Sequence, residues 1–158
     1  MKKTKEKIRY QIILSLEAYR GKKGILFYDS DNVNFDSSFL NLDDNDIEVL
    51  LMELKRSRKI LVTTKCLYYI EKQAYVRVNG NEIEGYGFLN QLDELKFRRA
   101  KRFKTPAGLK SWLYSGDFRI IKKEGTDLTI NIPHHDLGFC IVNAIKKLQF
   151  VTKKYTGI

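Results

Sequence analysis

Apolar positions change their spacing several times along the chain, and each change marks an element. From Thr4 to Arg20, Ile8, Ile12, Leu16 and Tyr19 recur at four, four and three residues with Ile13 beside them. That is one face of an amphipathic helix, ended by Gly21 and Gly24. Gly24–Tyr28 (GILFY) is short, apolar and bounded by glycine and an Asp/Ser/Asn cluster, which predicts a strand followed by a polar loop through Ser38. At Ile47–Leu54 the preceding Asp43-Asp44-Asn45-Asp46 favours a short helix by capping and dipole, while β-branched Ile47 and Val49 leave a strand open. Lys59–Glu71 (KILVTTKCLYYIE) holds two β-prone runs around Thr63-Thr64-Lys65 and reads as two successive strands or one bent strand. Ala74–Asn79 alternates, Asn79-Gly80-Asn81-Glu82 is a turn, and Glu82–Phe88 is expected as its return strand. Phe88–Leu95 fits neither period.

The densest signals lie in Phe118–Phe150. Phe118–Lys122 is apolar-rich, Glu124-Gly125-Thr126-Asp127 supplies a turn, and Leu128, Ile130 and Ile132 alternate with Thr129 and Asn131, which together predict a β-hairpin. Pro133 lacks a backbone donor and stops the strand, and Asp136 is placed to cap a helix directly after it. Leu137, Ile141, Ala144, Ile145, Leu148 and Val151 then share one face of a helical period. A hairpin followed by one amphipathic helix predicts a helix closing an antiparallel β-core.

The run ILVTTKCLYY resembles the segment of bacterial pleckstrin-homology-like and GRAM-like domains in which a strand ends in a Thr-rich turn with a basic residue and re-enters as a strand carrying an aromatic. The terminal hairpin and helix look like the end of the same fold, so the likeness covers roughly Lys59 to Phe150. It implies an α+β fold: a bent antiparallel β-sandwich or partly open barrel capped by a C-terminal helix, here with an additional N-terminal helix. Residues 1–58 have no counterpart and read as a helical and acidic elaboration on a core at 59–155, within a single domain of 158 residues. In that family basic strands and loops serve phosphoinositide or acidic-partner contacts. The resemblance carries no individual binding residue across.

Composition adds a partner class. A chain of this length buries roughly 70% of its extended surface without staples. Cys66 and Cys140 sit singly in apolar runs and read as buried thiols of a reducing, cytoplasmic setting. Lys2, Lys3, Lys5 and Lys7 precede only a short apolar run and do not make a signal peptide. No apolar stretch approaches the ~20 residues of a membrane span. The formal net charge is +10, yet no Lys or Arg falls between Gly24 and Leu54, where the acids concentrate. Asp29–Asp36 starts like a calcium loop but has Val33, Asn34 and Leu40 where an EF-hand needs an oxygen ligand, glycine and glutamate.

Lys96–Lys104 (KFRRAKRFK) is the strongest cationic run, with six cations in nine residues. As a strand it would put Lys96, Arg98, Arg102 and Lys104 on one face and Phe97, Arg99, Lys101 and Phe103 on the other; as a helix, Leu92, Leu95, Arg99 and Phe103 would roughly align. The strand suits the resemblance better and is the expectation. Lys96, Arg98, Arg99, Lys101, Arg102 and Lys104 are thus the anion-binding candidates, and Trp112 and Tyr114 the candidates for stacking on bases. His134-His135-Asp136 with Cys140 lacks a second cluster and is not expected to bind metal. No phosphate-loop, nucleophile-elbow or cofactor motif occurs. The expectation is a non-enzymatic binding module without cofactor, facing an anionic ligand such as anionic lipid or an acidic protein. Nucleic acid is the alternative.

Overall fold

The N-terminal helix forms where the apolar spacing puts it: α1 is Lys5–Ser15, with Ile8, Ile12 and Ile13 buried. Thr4 caps it, its hydroxyl accepting from the Lys7 N–H, and a 3-10 turn at Glu17–Tyr19 continues the chain. The computed structural model describes residues 4–155, so Lys2 and Lys3 of the basic N-terminal group lie outside the described residues. Two compact units result, one from the residues up to Asn81 and those from Asn143 onward, the other from Glu82–Val142. The fold is α+β with two open antiparallel sheets.

In the first unit β1 (Ile25–Phe27), β2 (Glu48–Glu53), β3 (Arg58–Thr63), β4 (Cys66–Glu71) and β5 (Ala74–Asn79) pair in chain order as an antiparallel meander. The segment Ile47–Leu54, for which capping favoured a helix, is strand β2, with Val49, Leu50, Leu51 and Met52 all buried. Its consecutive burial on both faces needs the extended backbone, and pairing with β1 and β3 overrides local helix propensity. Lys59–Glu71 resolves into two strands, β3 and β4. Strands β1 and β2, from the part of the chain without a counterpart in the resemblance, belong to the same sheet as β3–β5.

The acids between β1 and β2 shape the chain there. Asp31 accepts from the Phe27 N–H, Asp36 from Ser38 and Asp43 from Asn45, each bond closing a short turn. Asp46 is buried and accepts from the Thr63 and Thr64 hydroxyls and the Lys65 N–H at 2.9–3.1 Å, which locks the β3–β4 turn to the entry of β2. Under these turns Phe35, Phe39 and Leu42 pack on a core of Leu40, Leu51, Leu61, Cys66, Tyr68 and Ile70.

The second unit is a three-stranded meander of β6 (Ile83–Phe88), β7 (Gly116–Lys122) and β8 (Leu128–Ile132). The predicted hairpin is β7–β8, with Phe118 opposite Ile130 and Ile120 opposite Leu128. The expectation that Glu82–Phe88 returns along Ala74–Asn79 is corrected: β6 pairs with β7. Asn79–Glu82 does turn the chain, but Gly80 is buried where a Cβ would lie 2.7 Å from Thr152 Oγ1, so the turn is packed rather than an open hairpin tip. Between β6 and β7 run α2 (Leu89–Leu92), α3 (Glu94–Phe103) and α4 (Pro106–Leu113).

Helix α5 (His135–Lys154) gives its first residues to the second unit and its remainder to the first. It begins one residue before Asp136, which stands in its first turn rather than as its cap. Leu137, Ile141, Ala144, Ile145, Leu148 and Val151, the predicted apolar face, are all buried. Among the described residues no helix is long and apolar enough to cross a membrane.

Candidate anion-binding surface

The cationic run is helical, which corrects the strand expectation. Local chemistry explains it: Asp93 is the N-cap, accepting from the Lys96 N–H at 3.1 Å, and Glu94 occupies the first turn while Lys101 and Arg102 occupy the last. Acids at the positive end and cations at the negative end both favour this helix. Arg98 bonds Glu94 one turn back at 2.8 Å. A strand would have had neither cap nor dipole. The next helix starts at Pro106 after Thr105, whose hydroxyl accepts from the Gly108 N–H, so the Thr-Pro break separates two helices.

On α3 only Ala100 is buried and Phe97 partly so, while Lys96, Arg98, Arg99, Lys101 and Arg102, with Lys104 at the C-cap, are all exposed. Two of the six meet an acid, Arg98 with Glu94 and Lys96 with Asp93 at 4.0 Å. The same region exposes large apolar side chains: Leu92 is 70% exposed, Leu95 79% and Phe103 78%. Leu95, Arg99 and Phe103 stand at successive four-residue steps and form one row along the helix. A cleft of about 550 Å³ is lined by Asn90, Lys96, Arg99, Phe103, Lys104 and Trp112. A second groove, of about 590 Å³, runs past Leu92, Leu95 and Lys96.

The two stacking candidates are placed differently. Trp112, on α4, is partly buried and borders the cationic cleft, its carbonyl accepting from Asn90 Nδ2. Tyr114 packs its ring on Phe139, with centroids 4.1 Å apart and planes inclined by 31°, and stands edge-on to Phe88. At the start of α5, His135 approaches Asp136 at 3.7 Å and meets Phe139 edge-on, while Cys140 is buried and its thiol is pushed up to about 12 by desolvation. Among the described residues no group of three or more His, Cys, Asp or Glu is placed to hold a metal ion.

A second cationic surface escaped the sequence reading. The meander brings the start of β1, the β2–β3 turn and the β4–β5 turn to one end of the five-stranded sheet, where the Glu53 N–H donates to the Gly24 carbonyl. Lys22, Lys23, Lys55, Arg56 and Lys72 are exposed there, with Arg58 and Lys59 beside them and Glu53 and Glu71 opposing. At the other end stand Asp29, Asp43, Asp44 and Glu48. Scattered lysine pairs converge only once the strand register is known; Arg56 and Lys72 stand at positive φ in the β2–β3 and β4–β5 turns. Comparison with protein-family models, curated proteins and solved structures returned no significant match.

Proposed function

We propose that this chain is a cytoplasmic, non-enzymatic binding module with a pleckstrin-homology-like core, and that it recognises an anionic partner through α3. One observation carries the reading: a well-capped helix and its C-cap Lys104 hold six cations in solvent, four of them without an ion-pair partner among the described residues. Exposed charges of one sign on a rigid helix raise the local concentration of anions and steer their approach. The core is consistent with the resemblance, since antiparallel meanders precede a C-terminal helix. Arg98, Arg102 and Lys104 replaced by Ala should weaken binding to heparin and to anionic vesicles. Lys22, Lys55 and Lys72 replaced by Ala remove the same charge elsewhere and should weaken it much less. Equal losses in the two variants would reduce the effect to net charge and refute a site on α3.

Nucleic acid is the second reading, favoured by one feature: Trp112 and Phe103 border the same cleft as Lys96, Arg99 and Lys104. A base stacked there would contribute about 1–3 kcal/mol that survives salt, unlike the phosphate contacts. Trp112→Ala should then weaken single-strand binding at high salt, and an unchanged affinity rejects this reading.

A further inference from the structure

We propose that the anionic partner of α3 is the surface of a lipid bilayer, with Leu92, Leu95 and Phe103 entering the boundary between headgroups and acyl chains. The inference rests on α3 being the anion-binding element and adds what kind of anion it meets. Charge alone does not explain this surface, because a soluble polyanion gives no reason to keep two leucines and a phenylalanine more than two-thirds exposed beside six cations. Leu95 and Phe103 lie two turns apart in one row, about 12 Å along the axis, with Arg99 between them. Lys96 and Arg102 flank that row at about 60° to either side of Arg99. Leu92, from α2, borders the same groove as Leu95.

At an anionic interface this mixture is consistent. Apolar side chains reach inward while the long stems of Lys and Arg lie along the apolar boundary and return their charges to the headgroup phosphates. A helix of ten residues, about 15 Å long, is far too short to cross and would lie in the interface plane. An acidic protein surface fits less well, since the core of a protein interface is depleted of lysine and charge. Here Lys96 stands beside the apolar row, and Lys96, Arg99 and Arg102 share one side of the helix with Leu95 and Phe103, which matches a single continuous anionic plane better than discrete carboxylates.

The test uses the full chain with three probes: vesicles containing phosphatidylserine, vesicles of phosphatidylcholine alone, and heparin. The parent should bind the first and heparin, but not the second. Leu92, Leu95 and Phe103 together replaced by Ser should lower the affinity for phosphatidylserine vesicles about tenfold or more and leave heparin binding unchanged. Arg98, Arg102 and Lys104 replaced by Ala should lower both. If the Ser variant binds the vesicles as the parent does while the Ala variant fails, the cations act without insertion and the bilayer inference falls, though the anion-binding reading stands. Should the Ala variant bind both probes as the parent does, that reading falls as well. Heparin binding with no binding to vesicles would likewise overturn the inference and point to a soluble acidic partner. An independent check is Phe103→Trp in a Trp112→Phe background, which leaves one indole on the row. Its emission should shift to the blue with phosphatidylserine vesicles and not with heparin, and no shift with the vesicles refutes insertion.

Discussion

The loop between β1 and β2 and the helix α3 are the two most charged stretches of the chain, and they use charge in opposite ways. Many acids of the loop have a structural bond: Asp31, Asp36 and Asp43 close turns, Asp29 pairs with Arg20, and Asp46 is buried among three donors. On α3 most cations point into solvent with no acid beside them among the described residues. A charge run therefore has no fixed meaning. Short aspartates reach their own backbone within two to four residues and stiffen a loop, whereas long Lys and Arg stems on a helix hold their charge away from the main chain and leave it available to a partner.

The comparison breaks most readily at Asp46. Replacing it by Ala removes the acceptor of the Thr63 and Thr64 hydroxyls and the Lys65 N–H in a buried site. The unfolding free energy should fall by about 2–3 kcal/mol, the cost of stranding buried donors. A loss below about 0.5 kcal/mol in urea titration would mean that the loop acids are as dispensable as surface charges.

Arg20 is the next test. Its guanidinium lies 4.3 Å over the Phe27 ring and bonds Glu17, Asp29 and the Ser30 hydroxyl, tying the end of the first helical segment to the loop. Arg20→Ala should cost about 1 kcal/mol, since the pair is partly exposed and a cation over a ring contributes a comparable amount. Arg20→Lys should recover little, because an ammonium lacks the planar fork that gives two bonds each to Glu17 and Asp29.

Acidification separates the buried acid from the exposed ones. Desolvation holds the Asp46 carboxyl above its usual range although Thr63, Thr64 and Lys65 pull it down. A raised folded value means stability that is fully present below the unfolded value of ~3.9 and lost as pH rises through the folded one. Asp29 is held low, Arg20 being the main cause, and so are Asp36, by the Ser38 N–H, and Asp43, where desolvation is the largest single influence and pushes upward but the Asn45 N–H and Lys65 together outweigh it. Their contribution runs the other way, being lost as pH falls through the depressed values. The whole protein's acid sensitivity mixes both signs. Asp46→Asn removes only the first, so the stability gap between parent and variant should widen in the parent's favour as pH is lowered from neutral towards ~4. A gap that narrows over that window would show that the three hydrogen bonds outweigh burial.

These differences also explain what could be read from the chain in advance. The β7–β8 hairpin and α5 were legible because their signals are local: alternation, a glycine turn, a proline stop and one helical face agree. Strand β2 was obscured because its acids resemble a helix cap, while the real partners of Asp46, Thr63 and Thr64, lie seventeen and eighteen residues away. The α3 run was misread because alternation of Lys and Arg suits a strand as well as a helix, and the resemblance outweighed Asp93 and Glu94, the two residues that decide it locally. All six of its cations are exposed. The cationic end of the five-stranded sheet had no local signal at all, because its lysines come from three separate turns.

The smallest expected effect is the one that sharpens the contrast most. With Arg98, Arg102 and Lys104 all replaced by Ala, the ion pair lost among the described residues is Arg98 with Glu94, whose side chains are 72% and 75% exposed. An exposed pair one turn apart contributes about 0.3–0.5 kcal/mol, and the higher helix propensity of Ala offsets part of it. Relief of repulsion among neighbouring cations acts in the same direction as that offset. The midpoint of thermal unfolding should therefore stay within about 2 °C of the parent. Addition of salt to ~0.5 M should raise the parent's midpoint slightly more than the variant's, since screening removes a repulsion that the variant no longer has. A variant destabilised by more than about 1 kcal/mol would instead show that these cations hold the fold. In that case the α3 charges would be structural like those of the acidic loop, and the contrast on which the binding surface rests would disappear.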